Sequence, residues 1–227
     1  VALHFDVLAS KRLWTEIVPV WFALPVVAFV LTWVLSWLGV LGKSKEEAAE
    51  QGWRRKLLRA LVIGSSCYVA FAIGSNNVAN ASGPLASLLG RSLGAGSDPT
   101  SSSLVLLLAT LIVAPCFGIG SSVFGKPVLH TTGKQLVDLG PKAATLVAAV
   151  TASLLLAASL TRGIPTSLVQ MNTAAILAIS QQKKGAKATW TGRTLRRILL
   201  VWLVAPILSF GLAFGLCRLA TAFQLMN

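Results

Sequence analysis

Six stretches of this chain, residues 17–42, 60–90, 99–125, 143–161, 163–182 and 198–217, contain no charged residue. Each is at least 19 residues long. About 20 apolar residues in a helix cross a hydrocarbon core of about 30 Å. Hydrocarbon offers no hydrogen bonds, so every backbone N–H and C=O in such a stretch must be satisfied internally. The predicted fold class is therefore all-α: a polytopic helical membrane protein of about six membrane segments, with residues 1–227 forming a single transmembrane domain. The balance of 55% hydrophobic to 12% charged residues excludes an ordinary soluble domain of 227 residues.

The formal net charge of +13 raises the question of nucleic acid, and its distribution answers it. Alternating the segments between runs as outside and inside, starting outside, puts fifteen of the twenty Lys and Arg inside and leaves Lys11, Arg12, Arg91, Arg162 and Arg218 outside. That is the positive-inside bias of a membrane protein. Residues 42–58, 126–142 and 183–197 are predicted to be cytoplasmic, with 42–58 and 183–197 as solvated linkers. Residues 91–102 and both ends of the chain are predicted outside, in a cell (inner or plasma) membrane. The basic residues orient the chain and meet anionic lipid; no nucleic-acid partner is expected.

Two stretches do not look like ordinary membrane helix. "GSNNVANASGPL", residues 74–85, places Ser75, Asn76, Asn77, Asn80 and Ser82 within eight positions. The run that holds it, 60–90, would be about 46 Å long as one helix, so a break near 74–77 or 83–84 is expected. "GIPTSLVQMNTAAILAIS", from Gly163, repeats the design with a breaker, then Thr166, Ser167 and Gln170, then small apolar residues. Irregular backbone at membrane depth survives only where protein or a wet cavity satisfies it. A broken helix exposes an N-terminus whose N–H groups and positive dipole end suit an anion. Paired discontinuous helices point to a transport site. The two breaks are expected to approach each other.

All seven carboxylates lie outside the six runs. A site at membrane depth must then use neutral donors, carbonyls and helix dipoles. No triad, metal cluster or nucleotide loop is present in the sequence, so neither an enzyme nor a metal cofactor is expected. Cys67, Cys116 and Cys217 lack metal-ligand spacing and read as small hydrophobes. Lys126, His130, Lys134 and Asp138 recur every four residues, which predicts one wet face of an interfacial helix.

"GSNNVANASGPLA" (74–86) resembles the GANDVANA-type motif of the inorganic phosphate transporter (PiT) family. "GKPVLHTTGKQLVDLGPKAA" and "GIPTSLVQMNTAAILAI" are similar to two further segments of that family, in the same order and spacing. The family has two inverted repeats, each with one asparagine-rich motif. With one such motif, this chain looks like the second repeat half of such a carrier. The resemblance implies secondary transport of a tetrahedral oxyanion, with Ser75, Asn76, Asn77, Asn80, Thr166, Ser167 and Gln170 at the substrate.

Two departures inform the choice of anion. Asn77 stands where the family has an Asp tied to the coupling cation, and Leu168, Val169 and Gln170 stand at its Thr-Thr-His. Phosphate keeps a proton near pH 7 and benefits from an acceptor; sulfate needs only donors. A carboxylate beside a dianion in low dielectric also repels it. The Asn-Asn form and the Gln look more like the sulfate permease branch. Sulfate is therefore favoured. A sodium- or proton-coupled phosphate carrier remains the alternative, with H+ or Na+ as coupling ion and sodium, if bound, near Asn77 and Asn80. A non-transporting membrane scaffold or subunit is the reading from a different class. The expected partners are an inorganic anion and the lipid bilayer, with a homodimer left open.

Overall fold

The computed structural model describes residues 11–39, 52–92, 99–130 and 137–222. In chain order these form a π turn (Leu13–Ile17), α1 (Val18–Trp37), α2 (Trp53–Ile73), a second π turn (Gly74–Val78), α3 (Ala79–Ser92), α4 (Pro99–His130), α5 (Pro141–Arg162), α6 (Leu168–Lys184), α7 (Ala186–Trp190) and α8 (Arg193–Ala222). Among the described residues there is no strand. Five helices are long and apolar enough to cross a membrane: Leu13–Trp37, Trp53–Ser92, Ser101–Gly125, Pro141–Thr161 and Arg193–Leu219. The chain is a polytopic all-α membrane protein.

The sixth uncharged run behaves differently. It breaks at Gly163 and resumes as α6, 17 residues long, about 26 Å. This helix occupies the centre of the bundle. Every residue from Ala175 to Ser180 is buried. The small side chains of Ala175 and Ala178 suit close backbone approach, which drives helix association where lipid is as apolar as the protein core. Polar residues on this buried helix are satisfied locally. The Thr173 hydroxyl donates to the Val169 carbonyl at 2.8 Å, and the Ser180 and Thr189 hydroxyls are 3.0 Å apart.

Bonds at both ends fix the sense of the neighbours. Trp21 Nε1 donates to the Pro165 carbonyl at 2.7 Å, and Gln182 Nε2 to the Trp33 carbonyl at 2.7 Å; the Ser36 hydroxyl also meets Gln182 Oε1. Helices α1 and α6 therefore run parallel. On the other side Tyr68 Oη lies 3.1 Å from Ser153 Oγ, and Ser159 Oγ donates to the Ser75 carbonyl at 3.2 Å, so α2 and α5 run parallel. Helices α5 and α6 are antiparallel: Ala143 and Val147 share one core cluster with Ile176 and Ile179. Ala152 and Leu155 share another with Leu168, Met171, Ala28 of α1 and Ala72 of α2. Helix α8 stands at the periphery, exposing Leu199, Leu200 and Leu203, as a lipid-facing helix does.

Three expectations need correction. The break in the first polar stretch is not an end of helix. Regular α hydrogen bonding stops at Gly74–Val78, but the chain continues through a π turn into α3. Pro84 lies inside α3, so 83–84 is not a break either. The interfacial helix does not extend to Asp138: α4 runs on to His130, and Val137–Gly140 is non-helical with Val137 buried in the core. The linker drawn over 42–58 yields its last residues to α2, which starts at Trp53 after Gly52 at φ 72°, a backbone that favours glycine. Residues 42–51, 93–98 and 131–136 lie outside the described residues.

Candidate functional site

The site begins with the end of α5. Gly163 closes that helix in the left-handed region, φ 58° and ψ 33°, where a Cβ would be strained. Its N–H donates to the Ser159 carbonyl at 3.0 Å, and the Ile164 N–H reaches the Ala158 carbonyl at 3.3 Å. Pro165 is next. It has no N–H to continue a helix, and it pushes Ile164 out of the α region. Five residues stay non-helical until Leu168. Ser167 caps the new helix, accepting from the Gln170 N–H at 3.4 Å, as an N-cap serine does.

This bend meets the second π turn. Asn76, only 4% exposed, binds it with both ends of its amide. Nδ2 donates to the Ile164 carbonyl at 3.3 Å, and Oδ1 accepts the Thr166 N–H at 3.4 Å. The π turn offers one more group: the Ser75 carbonyl, taken by Ser159. The Ser75 hydroxyl donates back to Ala72 at 2.9 Å. The two polar stretches therefore approach each other, as expected, and Asn76 is the residue that joins them. Trp21 holds the bend from the α1 side. Trp21 sits eight residues into the apolar span that starts at Leu13, roughly 12 Å along the helix axis.

The predicted site residues separate into two groups. Thr166, Ser167 and Gln170 line a cavity of about 630 Å³, together with Trp21, Pro165 and Trp202 and the apolar side chains around them. Ser75, Asn76, Asn77 and Asn80 do not line it. Asn77 is half-buried and has no hydrogen-bond partner among the described residues, while Asn80 is exposed. Arg and Lys are absent from the cavity wall. Donors there come from the hydroxyls and from the first turn of α6, whose positive dipole end favours an anion.

Two buried oxygens near the start of α6 have no partner: Thr166 Oγ1 and Asn172 Oδ1. An unsatisfied buried polar group costs about 1–3 kcal/mol; of the two residues, Thr166 belongs to the cavity wall and Asn172 does not. Sequence pattern alone does not single out Asn172, Ser159, Trp21 or Trp202. Asn172 lies two residues past Gln170, close enough for the same polar signal to have found it. Trp21 reads as an interfacial anchor, and nothing local signals its bond to a residue 144 positions away. Among the described residues no cluster of His, Cys, Asp or Glu could hold a metal.

The chain matches the model of the phosphate transporter family over residues 1–213. It is 28% identical over 203 residues to the sulfate permease CysP of Bacillus subtilis, an alignment covering 89% of this chain and 52% of that protein. It is 32% identical over 152 residues to a putative phosphate permease of Haemophilus influenzae, covering 66% and 34%. Similarity to the sodium-dependent phosphate transporter 2 of Xenopus laevis is 30% over 164 residues, covering 72% and 24%. The chain thus spans about half or less of the length of these curated relatives. No solved structure matches. The family match over most of the chain, with apolar helices and a bend joined by the asparagine-rich segment, identifies this chain as a member of the phosphate transporter family, a family of transporters rather than enzymes.

Proposed function

We propose that this chain is one half of a secondary carrier that moves an inorganic tetrahedral oxyanion across the membrane, with sulfate favoured. The observation that carries the reading is the junction at α6. A helix N-terminus, held by Asn76 and bearing the unpartnered Thr166 hydroxyl, opens on a cavity with no charged side chain in its wall. Such a place suits an anion that needs donors only. Thr166, Ser167 and Gln170 are assigned to the anion directly. Ser75, Asn76, Asn77 and Asn80 do not line this cavity; they are assigned to the anion as well, through the π turn that Asn76 ties to the bend.

Asn77 supports sulfate over phosphate, because a neutral amide stands where the family's carboxylate would accept a proton-bearing phosphate oxygen and hold a cation. The alignment with a protein named as a sulfate permease covers the greater part of this chain and agrees. The second reading is a phosphate carrier coupled to Na+ or H+, favoured by relatives named as sodium-dependent phosphate transporters. The third is a scaffold that moves nothing.

Tracer uptake by the full-length carrier, with sulfate and with phosphate, each with and without sodium, separates the three. Sulfate uptake that ignores sodium supports the first. Sodium-dependent phosphate uptake supports the second, and no uptake of either supports the third. Asn77→Asp is the sharper variant: it restores the carboxylate and is expected to lower sulfate uptake while raising phosphate uptake or sodium dependence. A variant that changes neither places residue 77 outside the site.

A further inference from the structure

The cavity beside α6 is larger and more apolar than a bare inorganic anion needs. Its volume is about 630 Å³, within the range of about 300–1,000 Å³ typical of pockets that bury drug-sized organic ligands. Such pockets are mostly apolar, with a few polar groups that fix orientation. This wall is of that kind, and the directions of its helices show how it is graded.

Helices α1 and α6 run parallel and are joined near the start of α6 by the bond from Trp21 to Pro165. Helix α8 comes back along them. Its Leu195 packs with Ile179, towards the far end of α6, so Leu199 lies deeper in the cavity wall and Trp202 nearer to the start of α6. The polar groups collect at that start: Thr166, Ser167 and, one turn in, Gln170. From Trp21 the α1 side runs on to Val26, five residues further and about 7.5 Å along the axis. One end of the cavity is therefore polar, and the other is hydrocarbon.

The donors at the polar end are unspent. The Ser167 hydroxyl accepts from the Gln170 N–H but gives its own proton to no partner among the described residues. Thr166 is 8% exposed, and its hydroxyl has no partner. The Gln170 side-chain amide and the Trp202 indole N–H have none among the described residues either. The first N–H groups of a helix have no intrahelical acceptor, and their dipole end favours negative charge. No charged side chain stands in the wall to compete.

A bare tetrahedral ion meets these donors but leaves the apolar end to water, which finds few partners there. A lipid tail fits the apolar end but offers the donors no acceptor. A molecule with an anionic head and an apolar body satisfies both. Trp21, Phe22 and Trp202 suit a flat body, because aromatic rings stack offset or edge to face. The bond to Pro165 holds the Trp21 ring in place for this.

We propose that this cavity binds an organic oxyanion, a sulfonate or sulfate ester with a compact aromatic body. The head lies at the start of α6, and the body lies between α1 and α8 beside Trp21, Phe22 and Trp202. The proposal rests on the reading of that helix start as the anion's place, and extends it from inorganic anions to organic ones.

The test is calorimetric titration of the purified full-length carrier at neutral pH with methanesulfonate, benzenesulfonate and the neutral benzenesulfonamide. Burial of a ring-sized body is expected to make benzenesulfonate bind about ten-fold or more tighter than methanesulfonate. Charge-assisted hydrogen bonds are expected to make it bind about ten-fold or more tighter than benzenesulfonamide. Inorganic sulfate should displace it. Combined Phe22→Ala and Trp202→Ala should bring the ratio of benzenesulfonate to methanesulfonate affinity down to about two-fold or less.

Equal binding of the two sulfonates, both displaced by sulfate, overturns the proposal and leaves the anion reading standing. So does a ratio untouched by the double variant. Benzenesulfonamide binding as tightly as benzenesulfonate overturns the proposal and the anion reading of this helix start together, marking a berth for any apolar body, a lipid tail included. Benzenesulfonate that sulfate cannot displace also overturns the proposal, because its head then lies elsewhere. If the double variant does not fold, naphthalenesulfonate decides in wild type: tighter binding than benzenesulfonate supports the apolar end as the body's place, and no gain overturns it.

Discussion

The stretches 74–82 and 163–170 are built from the same residue types but fold differently. Both start at a glycine and continue into hydroxyl and amide residues. The first stays helical, loosening only into a π turn between α2 and α3. The second leaves the helix, runs extended and starts a new one. The difference lies in the residues just after each glycine. Gly163 is two residues before Pro165, which has no N–H to give and forbids the α conformation to Ile164. Gly74 is succeeded by Ser, Asn, Asn and Val, each able to donate its N–H, and the chain keeps winding. Polar composition marks both stretches as unusual, but only the second joins a left-handed glycine to a proline two residues on, and there the helix ends; Pro84 by itself is accommodated inside α3. The two are then complementary. The bend offers a free carbonyl and a free N–H, and the π turn offers Asn76 to meet both.

The largest expected effect comes from cutting that junction. Asn76→Ala leaves the Ile164 carbonyl and the Thr166 N–H without partners in a buried place. At about 1–3 kcal/mol per orphaned group, the loss should be about 2–6 kcal/mol. Thermal unfolding of the full-length carrier should show a clear drop in midpoint, and anion uptake should fall with it. A wild-type midpoint would mean that the two stretches are not held together through Asn76.

Next comes a pair of glycine substitutions with opposite signs. Gly163→Ala forces a Cβ into the left-handed region at φ 58°, costing about 1–2 kcal/mol. Gly74→Ala enters a helical position with open space around the new Cβ and should be neutral or stabilising by up to about 1 kcal/mol. Equal effects in the same unfolding assay would erase the contrast between the stretches.

Thr166→Val separates stability from function. It removes a buried hydroxyl that has no partner, so the unfolding midpoint should stay level or rise, by the equivalent of about 1 kcal/mol. Uptake should nonetheless fall if this hydroxyl is a ligand of the anion. Unchanged uptake would take Thr166 out of the site. The smallest effect is expected from Ser167→Ala. It removes an N-cap whose bond is 3.4 Å long, worth about 0.5–1.5 kcal/mol, and one cavity donor. A two- to ten-fold weaker apparent affinity is expected, read from the concentration dependence of uptake.

Much of the fold was legible because membrane burial writes a strong pattern. Five of the six uncharged runs became helices of spanning length, and the sixth gave the break expected at Gly163. What the pattern could not separate was a helix that loosens from a helix that stops. Gly74 and Gly83–Pro84 both looked like breaks, yet neither ends α2–α3. The face repeating from Lys126 to Asp138 had helical period, but periodicity says nothing of where packing wins. Val137 is drawn into the core and its segment is non-helical. Of the residues proposed for the site, Thr166, Ser167 and Gln170 share a cavity wall, whereas Asn76 turns its amide to the backbone of the bend. No local signal marks Asn76 rather than Asn77 for that task. The choice depends on which side of the π turn faces α5.

The amino-acid sequence alone determined that the chain lies in a membrane, that it is helical, that it bends at Gly163–Pro165 and that no carboxylate enters its apolar runs. All of these come from local rules: run length against bilayer thickness, the missing proline N–H, and the cost of charge in hydrocarbon. Only the tertiary structure decided that α6, not the more apolar α8, is the central helix, that Asn76 bridges residues 88 and 90 positions away, and that Leu195 of α8 packs with Val137 and Ala143 beside the start of α5. Those outcomes depend on which helix faces pack together. Between helices in lipid that is settled by close fit of small side chains and by mutual satisfaction of polar groups, not by apolarity, because the solvent is as apolar as the core.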